Sequence, residues 1–147
     1  MAGPLMRIGN ARFPEQQKQM EDITREGICP FCDEHLGRTH REPIEWQGAW
    51  WSITKNDYPY EGASIHYLLI ARQHISRLDE VHPEAWIEFG MHLARLSQMA
   101  TGGGVVMRWG DMSMNSASVS HLHAHFIVGG PPKEGGEKIK VSVGNKI

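Results

Sequence analysis

A chain of 147 residues with 40% hydrophobic side chains can bury one continuous core and shape a cleft for a small ligand, so a single domain is expected. Its 15 Lys and Arg against 17 Asp and Glu leave a formal charge of -2, which offers a phosphate backbone no general attraction and argues against nucleic acid as the main partner. The longest apolar runs are too short to span a bilayer and Met1 to Asn10 lacks a signal-peptide core, so a soluble, cytoplasmic protein with no membrane partner is expected.

In chain order, Pro14 to Glu26 is polar and helix-tolerant, with Pro14 suited to a first turn and Gly27 to a C-terminal cap, and predicts a short solvated helix. Cys29-Pro30-Phe31-Cys32 follows at once. Ile44 to Thr54, rich in Trp, Ile and Thr around Gln47-Gly48, predicts two strands and a tight turn. A loop over Asp57 to Gly62 leads to a strand over Ala63 to Arg72, with His66, Leu68 and Ile70 on one face and Ile65, Tyr67 and Leu69 on the other. The clearest helix starts at Pro83, carries Trp86, Phe89, Leu93, Leu96 and Ala100 at helical spacing, and ends at Gly102-Gly103-Gly104. Val105 to Trp109 and His121 to Val128 complete the strands. Short strands flanking one long helix, without βαβ alternation, predict an α+β domain on an antiparallel sheet.

Nine histidines stand out in the composition, and three of them alternate in His121-Leu122-His123-Ala124-His125-Phe126-Ile127-Val128. On a strand these imidazoles share one face, with Leu122, Ala124 and Phe126 on the other. On a helix His121 and His123 would lie roughly 200° apart and could not share a site. Three clustered imidazoles repel one another when cationic, so at least one is expected to stay neutral, with a ring nitrogen free to act as a nucleophile or a metal ligand.

This alternating triad resembles the signature of the histidine-triad (HIT) family. The likeness extends to His66 through Ile75, with a histidine opening a strand and His74 following a basic turn, and to Asn56-Asp57-Tyr58-Pro59-Tyr60, similar to the loop of bacterial members. The resemblance implies that His123 is the nucleophile that takes up a nucleotidyl group and that His125 neutralises phosphate oxygens. It also implies that Ser118 donates to a phosphate or leaving group, that His66 orients triad or substrate, and that Asn56 or Asp57 meets the ribose. Ser116-Ala117 stands where the family often has Gly-Gln, and Gly110-Asp111 lies where an asparagine is expected.

Cys29 and Cys32 are too few for a disulfide framework, but their spacing chelates one zinc ion, which needs two more ligands. His35 and His40 could supply them locally; the resemblance to zinc-containing, bacterial-type members points instead to His74 and His121. A redox dithiol is the competing reading.

The resulting expectation is a hydrolase that releases a nucleoside monophosphate, most simply AMP, from a dinucleoside polyphosphate or phosphoramidate through a nucleotidyl-histidine. Related possibilities are a phosphorylase or nucleotidyltransferase on the same scaffold, a zinc-stabilised nucleotide-binding module with little turnover, and a metallohydrolase that uses all three triad histidines as ligands. The resemblance further implies a homodimer, although Trp86, Phe89 and Leu93 could equally pack within one subunit. Within one HIT-like domain, residues 1–40 would carry the first helix and the cysteine pair, 41–130 the catalytic core, and 131–147 a tail. That tail could add a strand through Ile139-Lys140-Val141 or present a lysine to a phosphate. His82 and His92 read as structural or exposed.

Overall fold

The computed structural model describes residues 3–147, so the first two residues of the expected 1–40 segment lie outside it. Five strands form one antiparallel sheet: β1 (Ile44–Gln47), β2 (Trp51–Lys55), β3 (Ile65–Ala71), β4 (Gly104–Arg108) and β5 (His123–Val128), in the spatial order β1-β2-β3-β5-β4. Around it lie helices α1 (Pro14–Glu26), α2 (Asp33–Thr39), α3 (Pro83–Leu96) and the single turn α4 (Met112–Asn115). The fold is α+β, as the interspersed short strands and one long helix imply.

Period-2 alternation sorts every central strand into two faces. Ile53, Tyr67, Leu69, Ala124 and Phe126 point to one side, where α3 covers them with Ala85, Phe89 and Leu96 to make the main core. Each fully buried aliphatic here stabilises the fold by roughly 2–3 kcal/mol. Glu88 of α3 ties helix to sheet: its carboxylate accepts the Trp50 and Trp51 amides at 3.1 and 2.8 Å, and His92 Nε2 lies 3.3 Å from it. His92 is therefore buried and structural. His82 caps α3 by accepting the Glu84 amide on Nδ1, and its ring stacks on Trp50.

The opposite face carries His66, Leu68 and Ile70 from β3, with His125 opposite Leu68 and His123 opposite Ile70 on β5. Arg108 of β4 pairs with His123 from the other side. The N-terminal segment and α1 cover this face. Arg7 donates its amide to the Ser118 carbonyl, Ser120 donates to the Leu5 carbonyl, and Met6 bridges to Val119.

Several boundaries differ from the sequence reading. The first helix is not merely solvated, because Gln16, Met20 and Ile23 recur on one face and are buried. Gly27, at φ 69°, ends it in the left-handed conformation that favours glycine. The long helix stops at Leu96 and continues as a 3₁₀ turn over Ser97–Met99. His121 precedes β5, which starts at His123. Residues 139–141 form no strand; the tail is irregular and is held by Arg108 and Ser116 through Ser142 and Gly144. Among the described residues no helix is long and apolar enough to cross a membrane.

Candidate active site and metal centre

The three triad histidines are buried and separate into two environments. His121 belongs to a metal-ligand group. Its Nε2 lies 2.5 Å from the Ala71 carbonyl, which can only accept, so that nitrogen carries the proton. Its Nδ1 is then an unprotonated lone pair, and it faces Cys29 Sγ at 3.4 Å and Cys32 Sγ at 3.7 Å. His74 Nδ1 lies 3.0 Å from Cys32 Sγ. The four donor atoms of Cys29, Cys32, His74 and His121 lie within 4.8 Å of one another, which fits two thiolates and two imidazoles around a tetrahedral zinc. Burial, followed by the neighbouring Cys29 thiol, pushes Cys32 up to about 12, so it is a neutral thiol on its own and becomes a thiolate ligand only beside a compensating cation. Zinc fits this quartet as a structural ion that would pin the start of α2 to the turn after β3 and to His121, two residues before β5.

The local alternative fails on geometry. His40 Nε2 meets Thr54 Oγ1 and the Lys55 carbonyl, each at 2.9 Å, while its Nδ1 lies 3.5 Å from Asp57. His35 lies beside Glu34. Among the described residues the Cys2His2 quartet is the one group of three or more ligand side chains that converges, so His121, His123 and His125 do not form a joint metal site.

His123 Nδ1 lies 2.7 Å from the His121 carbonyl and must donate to it. Its Nε2 is thereby left as a free lone pair. Burial, and then the charges around it, pull the imidazole down to about 4, so it is neutral at pH 7. Phe31 packs edge-on against the ring at 5.0 Å between centroids.

A hydrogen-bond relay fixes His125. The Tyr60 amide donates to His66 Nδ1 at 3.0 Å, so His66 carries its proton on Nε2, which donates to His125 Nδ1 at 2.8 Å. His125 must therefore hold its proton on Nε2, the nitrogen turned away from His66. Burial is the main cause lowering His66 to about 3 and His125 well below its usual value. His125 thus has a neutral N–H donor beside the free nitrogen of His123.

Both rings line an open cleft with about 570 Å³ of empty space including its mouth. Phe31, Leu68, Met20 and Ile23 give it apolar walls; Ser118, Asn56 and Gln16 add polar ones. Asn56 places its amide nitrogen 3.2 Å from His66 Nε2 and accepts the Tyr58 amide on Oδ1. Asp57 also lines the cleft, but its two carboxylate oxygens accept the Arg41 and Glu42 amides at 2.9 Å each. It shapes the wall by holding the residues before β1. Ser118 lines the cleft, and its carbonyl accepts the Arg7 amide.

Sequence reasoning missed a second set of residues. Arg12 lies over the Tyr60 ring, 4.1 Å from its centroid, and Tyr60 stacks on His125 with planes 12° apart. Arg108 donates to the Tyr60 hydroxyl at 2.9 Å. Asn10 donates to the Ala117 carbonyl at 2.7 Å, and Asn115 joins the Trp109 carbonyl to the Ala117 amide, which holds the turn ahead of the triad. Ser116 adopts φ 63° in that turn, a conformation costly for a residue with a Cβ. Arg108 was detectable only from the β4–β5 register; Asn10 and Arg12 lie more than 100 residues from the triad with no motif around them.

No protein-family model matches the sequence, and no curated protein matches it. Solved structures match by shape. A hypothetical histidine triad nucleotide-binding protein from Sulfolobus tokodaii is 19% identical, with 80% of this chain and 81% of that one covered, at a TM-score of 0.55. A "Hit Like Protein" is 18% identical over 65% of this chain and 93% of that one, at a TM-score of 0.52. A histidine triad protein from Clostridium difficile is 19% identical over 71% and 94%, at a TM-score of 0.51. At these identities the similarity establishes a shared fold.

Proposed function

We propose that the protein is a histidine-triad nucleotide hydrolase of the zinc-containing type, which transfers a nucleoside monophosphate, AMP in the simplest case, from a dinucleoside polyphosphate or phosphoramidate to His123 and then to water. The observation that carries this reading is the tautomer of His123: with Nδ1 committed to the His121 carbonyl, Nε2 presents a lone pair to the cleft.

In the first step that lone pair forms the N–P bond as the bond to the leaving group breaks: a polyphosphate departs with the bonding electrons on its oxygen, and an amine departs neutral, its nitrogen having first taken a proton from solvent. The resulting imidazolium is stabilised through Nδ1–H by the His121 carbonyl. The Nε2–H of His125 donates to a non-bridging phosphate oxygen, held in that orientation by His66. Ser118 donates at the leaving-group side. Water then cleaves the N–P bond and restores neutral His123. The apolar walls at Phe31, Leu68 and Ile23 suit a purine, and Asn56 suits a ribose hydroxyl, with Asp57 bracing the loop beneath it. Cys29, Cys32, His74 and His121 would hold a zinc ion whose charge would neutralise the two thiolates, and His121, so fixed, would hold in place the carbonyl on which His123 depends.

The same reading takes the chain as one HIT-like domain over residues 1–147, cytoplasmic and working as a homodimer. Exposed Ile87 and Met91 on α3, and Val105 and Trp109 at the open edge of β4, supply apolar surface for a second copy. The test is intact-protein mass spectrometry after brief mixing with a diadenosine polyphosphate and an acid quench. An AMP-sized adduct on the wild type that is absent from His123→Ala is the expected result. No adduct, together with unchanged turnover in the mutant, would overturn the mechanism.

A further inference from the structure

A second cavity, about 540 Å³ including its open mouth, adjoins the histidine cleft and shares Arg12 with it. Its walls are unusual in charge. Arg12, Arg108 and Lys140 contribute three cationic groups and Tyr60, Ser116 and Ser142 three hydroxyls, and no carboxylate lines it. Among the described residues none of the three cations forms an ion pair: Arg12 donates to the Tyr58 carbonyl, and Arg108 to the Ser142 carbonyl and the Tyr60 hydroxyl. In a chain of net charge -2, three unneutralised cations around one cavity are an arrangement that self-repulsion disfavours unless an anion is to be held there.

The cavity is assembled from distant parts of the chain. Arg12 comes from the segment before α1, Arg108 from the end of β4, and Lys140 from the tail. The tail is held in place by the Arg108 Nε to Ser142 carbonyl bond at 2.8 Å and by the Gly144 amide donating to Ser116 Oγ at 2.9 Å. That second contact gives the left-handed Ser116 a purpose, since its hydroxyl anchors the tail. Tyr60 joins the two cavities: one ring face stacks on His125 and carries Arg12 above it, and its hydroxyl holds Arg108.

We infer that this cavity is a polyphosphate subsite, which holds the phosphates beyond the one attacked and so selects substrates whose leaving group is itself a phosphate chain. The inference rests on nucleotidyl transfer at His123. When the P–O bond breaks, the electron pair departs on a phosphate oxygen, and a leaving group with two or more phosphates gains negative charge that Arg12, Arg108 and Lys140 can meet with charge-assisted bonds. A phosphoramidate with a small amine leaving group has nothing to place there.

The experiment is calorimetric titration of inorganic tripolyphosphate into the zinc-loaded protein, wild type, Lys140→Ala and His123→Ala, paired with steady-state kinetics on a dinucleoside polyphosphate and an AMP phosphoramidate. Lys140 is exposed, so its truncation leaves the core intact. Tripolyphosphate is expected to bind wild type and His123→Ala alike and to bind Lys140→Ala about five- to tenfold more weakly. The Lys140→Ala variant should raise KM for the dinucleoside polyphosphate by a similar factor and leave the phosphoramidate unchanged. Tripolyphosphate affinity indifferent to Lys140, or an equal KM rise for both substrates, overturns the subsite. Lys140-dependent tripolyphosphate binding with no nucleotidyl adduct on His123 would leave the polyanion site standing and remove the transfer mechanism instead.

Discussion

His66 and His125 are buried as neutral imidazoles, and that fact has a measurable cost in acid. Facing His66 are Arg12, Arg108, His123, His125 and the Tyr60 ring, with no carboxylate among its hydrogen-bond partners to favour a cationic form. The folded-state value of about 3 lies below the ordinary 6.5, so below pH 6.5 the unfolded chain binds a proton that the native chain refuses. The stability that His66 confers is complete above pH 6.5, falls as the pH drops, and is fully lost near pH 3. Between pH 7 and pH 5 the linkage amounts to about 2 kcal/mol for this one group, with a slope approaching about 1.4 kcal/mol per pH unit. Urea unfolding of the zinc-loaded protein at pH 5.5, 6.0, 6.5 and 7.0 would measure it, in parallel with His66→Gln, whose amide cannot titrate. The mutant should lose about one proton from the pH slope while retaining a two-state transition. Identical slopes for the two proteins would refute the assignment of His66 as a buried neutral donor to His125.

Other outcomes follow from single contacts. Removing zinc with a strong chelator should lower the melting temperature, and Cys32→Ser or His74→Ala should abolish zinc retention by elemental analysis while His40→Ala keeps it; zinc loss in His40→Ala alone would restore the local site. Glu88→Ala strands the Trp50 and Trp51 amides and buried His92, and should cost about 2–3 kcal/mol in denaturant unfolding with little effect on ligand affinity. Asp57→Asn weakens the two amide contacts that hold Arg41 and Glu42 and should cost about 1–2 kcal/mol, whereas Asn56→Ala should raise KM for nucleotide and cost less stability, about 1 kcal/mol for the lost Tyr58 amide contact. Reversal of that pair, measured by unfolding and by steady-state kinetics, would make Asp57 the ribose contact.

The alternation of His121, His123 and His125 was legible because a strand has a period of two, and so were the helix from Pro83 and the zinc-competent spacing of Cys29 and Cys32. Local pattern cannot choose between ligands separated in sequence, however. His35 and His40 were as plausible by spacing as His74 and His121, and only the folding of β3 and β5 side by side brings the latter two to the cysteines. The separate duties of the triad members were equally hidden, since a tautomer is set by which carbonyl or ring nitrogen lies opposite, as the His121 carbonyl does for His123 and as His66 does for His125. Arg12 and Arg108 carry no motif at all, and neither the loop resemblance that includes Tyr60 nor the lysine-bearing tail around Lys140 shows that these residues meet. They meet because the N-terminal segment and the tail both reach the Arg108 end of β4, the first packed through Gln16, Met20 and Ile23 of α1 and the second held through Ser142 and Ser116. Short-range periodicity is written in the sequence through backbone geometry; the charge around a site is a sum over residues that only tertiary packing makes neighbours.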